Sequence, residues 1–221
     1  MAPESPPGGV LWDLDGTLID SGEQHYVAWR DTLAARGQDH SREEFARFFG
    51  RRNDVILVEM FGDTLSDVEA ERIADEKEER YRRLVRTDGL QPLPGVMDWL
   101  RRLREEGYRQ ALATMAPAAN VAVVVDVLGL GSLLDATAAA EDSAHGKPDP
   151  GIFLEAARRI SVPPARCVVV EDAPAGLEGA RRAGMRCVGV VSGHHPRLEA
   201  DLVVESLASL PPDTFRALLG T

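Results

Sequence analysis

Cysteine is scarce: Cys167 and Cys187 are the two in a chain of 221 residues. Both sit in apolar, strand-like runs, there is no CxxC pair, and no histidine cluster accompanies them. This excludes a disulfide-stapled scaffold, disfavours a thiolate metal site and predicts two buried, reduced thiols. Long apolar runs are also missing. Residues 121–125 and 188–191 are the longest, far short of the ~20 needed to span a bilayer. Basic charge is in deficit, with 25 Lys and Arg against 36 Asp and Glu for a net charge of -11. That disfavours nonspecific binding to nucleic acid or an anionic membrane, both of which need a basic field. The opening MAPESPPGGV has no basic segment followed by an apolar one, so it does not read as a secretory signal. Its prolines and glycines predict an irregular arm through Gly9. The expectation is a soluble, cytoplasmic protein, a monomer or small homo-oligomer, with neither nucleic acid nor membrane as partner.

What the chain does carry is an alternation of short apolar strands and helical patterns. Strands are predicted near residues 10–14, 108–113, 134–137, 166–170, 186–191 and 201–204, with helices at 96–106, 116–128, 150–160 and 173–183. Strands alternating with helices of about 10–15 residues predict an α/β fold with a doubly wound parallel sheet. Near-continuous apolar strands fit a sheet buried on both faces. One segment breaks the rhythm. From about 21 to 91 there is no good strand, only helical patterns at 23–36, 42–49, 54–61 and 65–86, the last rich in charges of both signs. Pro92 and Pro94 mark the return. The expected organisation is a core of residues 1–20 and 92–221, with 21–91 as an inserted all-α cap.

The first strand ends in Asp13-Leu14-Asp15-Gly16-Thr17. Residues i and i+2 of a strand point the same way, so Asp13 and Asp15 converge at its carboxyl end, where ligands bind in open α/β sheets. Gly16 lets the chain turn away. Two neighbouring carboxylates repel, so a proton or a cation must relieve them. Taken alone, Asp-Gly is a common turn and the acids could be exposed.

Further motifs follow in order: ALAT ending in Thr114, then Gly146-Lys147-Pro148-Asp149-Pro150, then VVVED ending in Glu171-Asp172. Together with VLWDLDGTLIDS they resemble the haloacid dehalogenase superfamily, in its phosphatase-type members, over nearly the whole chain. The resemblance implies a Rossmann-like core with a helical cap, Mg²⁺ as cofactor and a small phosphorylated metabolite as substrate. Asp13 would be the nucleophile that takes up the phosphoryl group. Asp15 would protonate the leaving oxygen and then take a proton from water, which requires a proton near neutral pH. Thr114 would hydrogen-bond a phosphoryl oxygen, and Lys147 would bring charge to phosphate and carboxylates. Asp13, the main-chain carbonyl of Asp15, and Asp172 would hold the metal, with Glu171 a direct or water-mediated ligand. Each alone has an ordinary reading: Thr114 a strand end, Lys147 a loop lysine, and Glu171 and Asp172 helix caps.

The insert position matches the family's cap, which covers the site and reads the leaving group. Gly16, His25, Arg51, Arg52 and Lys77 are the expected substrate-binding residues. The stretch around His25 resembles the β-phosphoglucomutase-like group, where a histidine there contacts the site. The turn Gly50-Arg51-Arg52-Asn53 falls where that group carries specificity residues, and Lys77 is spaced like a cap lysine facing the site. Each also has an ordinary reading: a helical histidine, a solvated basic turn, and a lysine paired along a helix face. Two departures separate the chain from the mutase pattern. Met115, Ala116 and Pro117 follow Thr114 in place of polar residues and a lysine, and Asn53 stands where an arginine is expected. A Mg²⁺-dependent phosphatase acting on a sugar phosphate through an aspartyl-phosphate is the expected activity, and a β-phosphoglucomutase-type mutase is the alternative. Dehalogenase chemistry needs neither Asp15 nor metal, and a non-catalytic binder would not need four intact motifs.

Overall fold

The structure is a computed structural model that describes residues 7–48, 51–192 and 197–220. Phe49 and Gly50, expected in a cap helix and the cap loop, and the first six residues of the arm lie outside the described residues.

Among the described residues, six strands form one parallel sheet in the order β3-β2-β1-β4-β5-β6. They are β1 (Gly9–Trp12), β2 (Arg109–Ala113), β3 (Ala136–Ala138), β4 (Cys167–Glu171), β5 (Arg186–Val190) and β6 (Leu202–Val204). β1 pairs with β2 on one side and β4 on the other, Trp12 lying between Leu112 and Val170. The α/β, doubly wound parallel fold expected from the pattern is what forms. Its physical basis is visible in the alternation along each central strand. Val10, Trp12, Val168 and Val170 pack into one hydrophobic cluster, and Leu11, Cys167 and Val169 into a second one across the sheet. A sheet buried on both faces needs apolar residues along its strands, and β1 and β4 supply them as far as Trp12 and Val170. Cys167 and Cys187 are unpaired, buried thiols of the second cluster.

The arm is shorter than expected. Gly9 opens β1, aligned with Arg109 and Cys167. A Cβ there would sit 2.8 Å from Ile160 Cδ1 and 2.9 Å from Cys167 Sγ. This glycine answers to close packing rather than to irregular backbone.

Between β1 and β2 run α1 (Gly22–Ala34), α2 (Arg42–Phe48), α3 (Asn53–Phe61) and α4 (Asp67–Asp88), with α5 (Val96–Glu105) leading back to β2. The inserted helices have a hydrophobic cluster of their own, built on Trp29, Leu33, Phe45, Ile56, Leu57 and Ile73. α4 is capped by Ser66, whose hydroxyl accepts from the Glu69 amide at 3.3 Å. Its buried residues, Ile73, Lys77, Glu78, Tyr81 and Val85, make one helical stripe with two opposite charges in its middle. On the core side, α6 (Ala118–Val127), α7 (Gly151–Arg159), α8 (Pro174–Arg182) and α9 (Thr214–Leu219) complete the fold. α6 begins two residues later than the pattern suggests, because Pro117 is its N-cap.

Candidate active site

The sheet winds outward in both directions from the boundary between β1 and β4. That boundary is the topological switch point, where a crevice opens beyond the carboxyl ends of the strands. The Asp13 amide donates to Val170 O at 3.0 Å, continuing the ladder one residue past β1. Asp13 therefore faces Glu171 and Asp172 at the end of β4. Ligand atoms of Asp13, Glu171 and Asp172 lie within 4.8 Å of one another.

Lys147, in the loop before α7, reaches into this cluster. Its ammonium donates to Asp13 Oδ1 at 2.5 Å and Glu171 Oε1 at 2.6 Å, and lies 5.0 Å from the Phe153 ring centroid. Desolvation works against its charge, but Asp13 and Glu171 outweigh it and hold the ammonium above its usual range. Three buried carboxylates against one ammonium leave excess negative charge. Burial raises the Asp13 carboxyl well above its usual range, with Lys147 opposing and Glu171 and Asp172 adding to the rise. Asp172 is pushed up to about 7, by burial and then by the Glu171 charge. An all-oxygen donor set of this kind fits a hard divalent cation, which would relieve the repulsion that these shifts express.

Two glycines make room for the carboxylates. Gly16 has φ 90°, and a Cβ there would fall 2.3 Å from Asp172 Oδ2. Its amide donates to Ile19 O at 2.8 Å, and the close approach of Asp172 gives this glycine a steric role. At Gly176, near the start of α8, a Cβ would fall 1.8 Å from Glu171 Oε1. The other carboxyl oxygen, Glu171 Oε2, accepts from the Ala173 amide at 2.6 Å.

Asp15 lines the same cavity but has partners of its own. It accepts a short hydrogen bond from Ser21 Oγ, and His25 Nε2 lies 3.6 Å from its Oδ1. Burial would raise this carboxyl, but His25, then Ser21 and the Lys77 charge, outweigh burial and hold it below its usual range. The structure thus presents Asp15 as an anion, whereas the acid role needs a proton. Its side chain is not part of the grouping formed by Asp13, Glu171 and Asp172.

His25 stacks on Tyr81, with ring centroids 3.9 Å apart and planes 8° from parallel. Lys77 Nζ lies 2.9 Å from His25 Nδ1. A lysine ammonium only donates, so this contact sets Nδ1 as the acceptor and leaves the Nε2 proton directed at Asp15. Lys77 is buried, with its ammonium 5.4 Å from the Trp29 ring centroid. The alternative expected from sequence, a solvated lysine on a charged helix face, does not form. Arg51 and Arg52 border the same cavity but are held by carboxylates, Arg51 by Glu59 at 2.6 Å and Arg52 by Asp54 at 3.2 Å. Thr114 is buried at the end of β2 and accepts from the Ala116 amide at 3.1 Å.

Of the site residues expected from the sequence, all but Gly16 line one cavity of about 620 Å³ between the sheet end and the inserted helices. Trp29, Phe45, Phe48, Ile56, Met115 and Pro117 form its apolar walls. Sequence reasoning did not single out Ser21, Tyr81, Glu78 or Asn120. Ser21 stands inside the quoted IDS, and Glu78 was detectable as a carboxylate five residues after Ile73 and seven before Val85 on one stripe. Asn120 carried no local signal.

Asp13 at a strand end, a lysine and an acidic pair meet at the switch point of a parallel sheet beside inserted helices, an arrangement that fits a hydrolase of the α/β class. The haloacid dehalogenase-like hydrolase family model matches residues 8–184. The chain belongs to this family. It is 33% identical to the fructose-1-phosphate phosphatase of Escherichia coli over 186 residues, covering 82% of this chain and 95% of that one. It is also 33% identical to the β-phosphoglucomutase of Bacillus subtilis over 209 residues, covering 91% and 90%. Among solved structures, CbbY of Rhodobacter sphaeroides in complex with xylulose-(1,5)bisphosphate superposes with a TM-score of 0.85 at 28% identity, covering 93% of this chain and 96% of that one.

Proposed function

We propose that the protein is a Mg²⁺-dependent phosphatase of small sugar phosphates, working through an aspartyl-phosphate on Asp13. The observation that carries this reading is the placement of Asp13 against Lys147, Glu171 and Asp172 on the floor of a cavity whose cap side holds Asp15. Residues 1–20 and 92–221 would serve as the catalytic core and 21–91 as the cap. Mg²⁺ would be held by Asp13, Asp172 and the Asp15 carbonyl, with Glu171 direct or through water. When bound it supplies charge neutralisation for the phosphoryl oxygens and the carboxylates.

A carboxylate oxygen of Asp13 attacks phosphorus as the ester P–O bond breaks. Lys147 and the Thr114 hydroxyl bind and orient the phosphoryl oxygens. The departing alkoxide takes a proton from Asp15. A bound phosphoryl dianion adds negative charge beside Asp15 and raises its carboxyl, which supports proton uptake there once substrate is present. Asp15, then anionic, takes a proton from water. That oxygen attacks phosphorus, the bond to Asp13 breaks, and inorganic phosphate leaves. Ser21 and His25 hold Asp15, and Lys77 fixes the His25 tautomer. The apolar cap walls exclude bulk water.

The mutase reading draws support from the His25–Lys77 pair and the B. subtilis relative. Asn53 and the run Met115-Ala116-Pro117 weigh against it, because a bisphosphate turned end for end needs polar anchors on both sides. The substrate reading is supported by the fructose-1-phosphate and hexitol phosphatases of E. coli, 33% and 32% identical to this chain. Cytoplasmic location is part of the proposal; no described helix is long and apolar enough to cross a membrane. The test is phosphate release from p-nitrophenyl phosphate and a sugar-phosphate panel with Mg²⁺, with product isomers followed in parallel. Wild type releases phosphate without a bisphosphate activator and Asp13→Asn does not. Isomer formation with little phosphate release would favour the mutase, and equal inactivity of both proteins would remove the enzyme reading.

A further inference from the structure

Lys77 and Glu78 stand side by side in the buried stripe of α4, and both line the cavity above Asp15. Their side chains are 3% and 8% exposed and form an ion pair of 2.8 Å. Glu78 collects more than this partner. Its Oε1 also accepts from Asn53 Nδ2, and its Oε2 from Asn120 Nδ2, both at 2.6 Å. Arg82 in turn donates to Asn120 Oδ1 at 3.0 Å. A carboxylate is a costly group to bury, and one holding three donors at once stays charged.

The consequence concerns what this wall offers a ligand. Lys77 is the buried cation that the inserted helices bring to this cavity, and its charge is cancelled within the wall by Glu78. Asn53 is the cap-loop residue at the position expected to carry an arginine, and its amide donor is drawn onto the same carboxylate. A second phosphoryl or carboxylate group placed against this wall would face Glu78, onto which Lys77, Asn53 and Asn120 are already drawn, while the charges of Arg51 and Arg52 on the same cavity are matched by Glu59 and Asp54. A hydroxyl group can give its proton to the carboxylate or accept from Lys77, and it brings no charge to neutralise.

We infer that Glu78 is a specificity-determining residue: it makes the deep cap wall electrically neutral, so that the cavity takes an uncharged, hydroxylated leaving group and rejects one bearing a second phosphoryl group. This rests on the phosphatase reading and adds a selection rule to it. Rejection by leaving a buried charge unpaired is a strong form of discrimination, because the penalty falls on the wrong ligand alone.

The test compares kcat/KM for fructose 1-phosphate against fructose 1,6-bisphosphate, and for glucose 1-phosphate against glucose 1,6-bisphosphate, in four proteins of checked thermal midpoint. Wild type favours each monophosphate by at least about tenfold, the factor that one misplaced interaction of ordinary size produces. Glu78→Gln, which leaves Lys77 uncancelled, lowers that ratio about tenfold or more. The double variant Lys77→Met with Glu78→Gln removes both charges and recovers the preference, whatever it costs in turnover. Asn120→Ala keeps both charges and leaves the ratio within about twofold, even if closure of the cap suffers. Equal use of mono- and bisphosphate by wild type overturns the inference without reference to any variant. So does an unchanged ratio in folded Glu78→Gln, a double variant that does not recover, or an Asn120→Ala ratio that moves as far as the Glu78→Gln ratio. Inactivity of wild type toward all four compounds and p-nitrophenyl phosphate removes the phosphatase reading itself.

Discussion

At the scale of single residues, the site is a contest over where protons sit. Asp13, Glu171 and Asp172 crowd one another, while Asp15, two residues from Asp13, is stabilised as an anion by Ser21 and His25. The two aspartates of one motif are thus pushed in opposite directions, Asp13 up and Asp15 down. These directions belong to the ligand-free site and run opposite to the proposed roles, so a bound cation beside Asp13 and a bound phosphoryl group beside Asp15 have to reverse them. Asp15→Ala is expected to slow turnover by ~10²–10⁴-fold, the usual worth of a general acid–base group, with the thermal midpoint little changed. A loss under about threefold, below that range, would remove Asp15 from the chemistry. Ser21→Ala removes a donor that favours the charged form, so the Asp15 carboxyl rises. The limb of the kcat/KM profile that reports a protonated Asp15 then moves to higher pH, and a stationary limb would mean that Ser21 does not tune it.

At the scale of elements, the carboxylates are as much a matter of backbone as of side chains. β4 delivers Glu171 and Asp172 into a space that exists because Gly16 and Gly176 lack Cβ atoms. Gly176→Ala places a methyl 1.8 Å from Glu171 Oε1, a contact no rotamer adjustment at position 176 can relieve. Glu171 must leave its hydrogen bond to the Ala173 amide, and Lys147 loses one of its two anchors. The expected cost is about 1–3 kcal/mol of stability, as for other overpacked sites, with activity falling more than tenfold. Denaturant midpoints and phosphate release read the two effects separately. Much of this element-level design is visible in the sequence: DLDGT, KPDP and VED each stand at the end of a strand or ahead of a helix, where local pattern fixes the direction of the side chain. The steric role of Gly16 was not visible, because it depends on Asp172, far away in the chain.

At the scale of the whole molecule, charge and metal are linked to stability. Asp172, raised to about 7 by burial and Glu171, is protonated in the folded protein at pH 5 and largely ionised at pH 8. Since its folded value lies above its ordinary one, its ionisation removes stability from the metal-free protein as pH rises from about 4 toward 7. A divalent cation competes with that proton. The rise in thermal midpoint on adding Mg²⁺ is therefore expected to be larger at pH 8 than at pH 5. Calorimetry at fixed excess Mg²⁺ measures it, and a shift independent of pH would separate the metal from these carboxylates.

What the sequence by itself determined is the sheet, its order of motifs and the core site, because strand periodicity is local and the motif residues sit where strands end. What only the tertiary structure decided lies in the cap. His25, Lys77, Arg51 and Arg52 were all legible as polar residues near a cavity, yet nothing local told which would be buried and which would pair outward. Lys77 and Glu78 turn inward because α4 is gripped between the cap cluster on one side and α6 on the other, and Asn120, 42 residues away, is the donor that holds Glu78 there. Arg51 and Arg52 are turned to Glu59 and Asp54 by the start of α3. Burial of a charge is settled by partners brought together in space, and that is why the grouping of carboxylates with Lys147 could be read along the chain while the pairing of Lys77 with Glu78 could not.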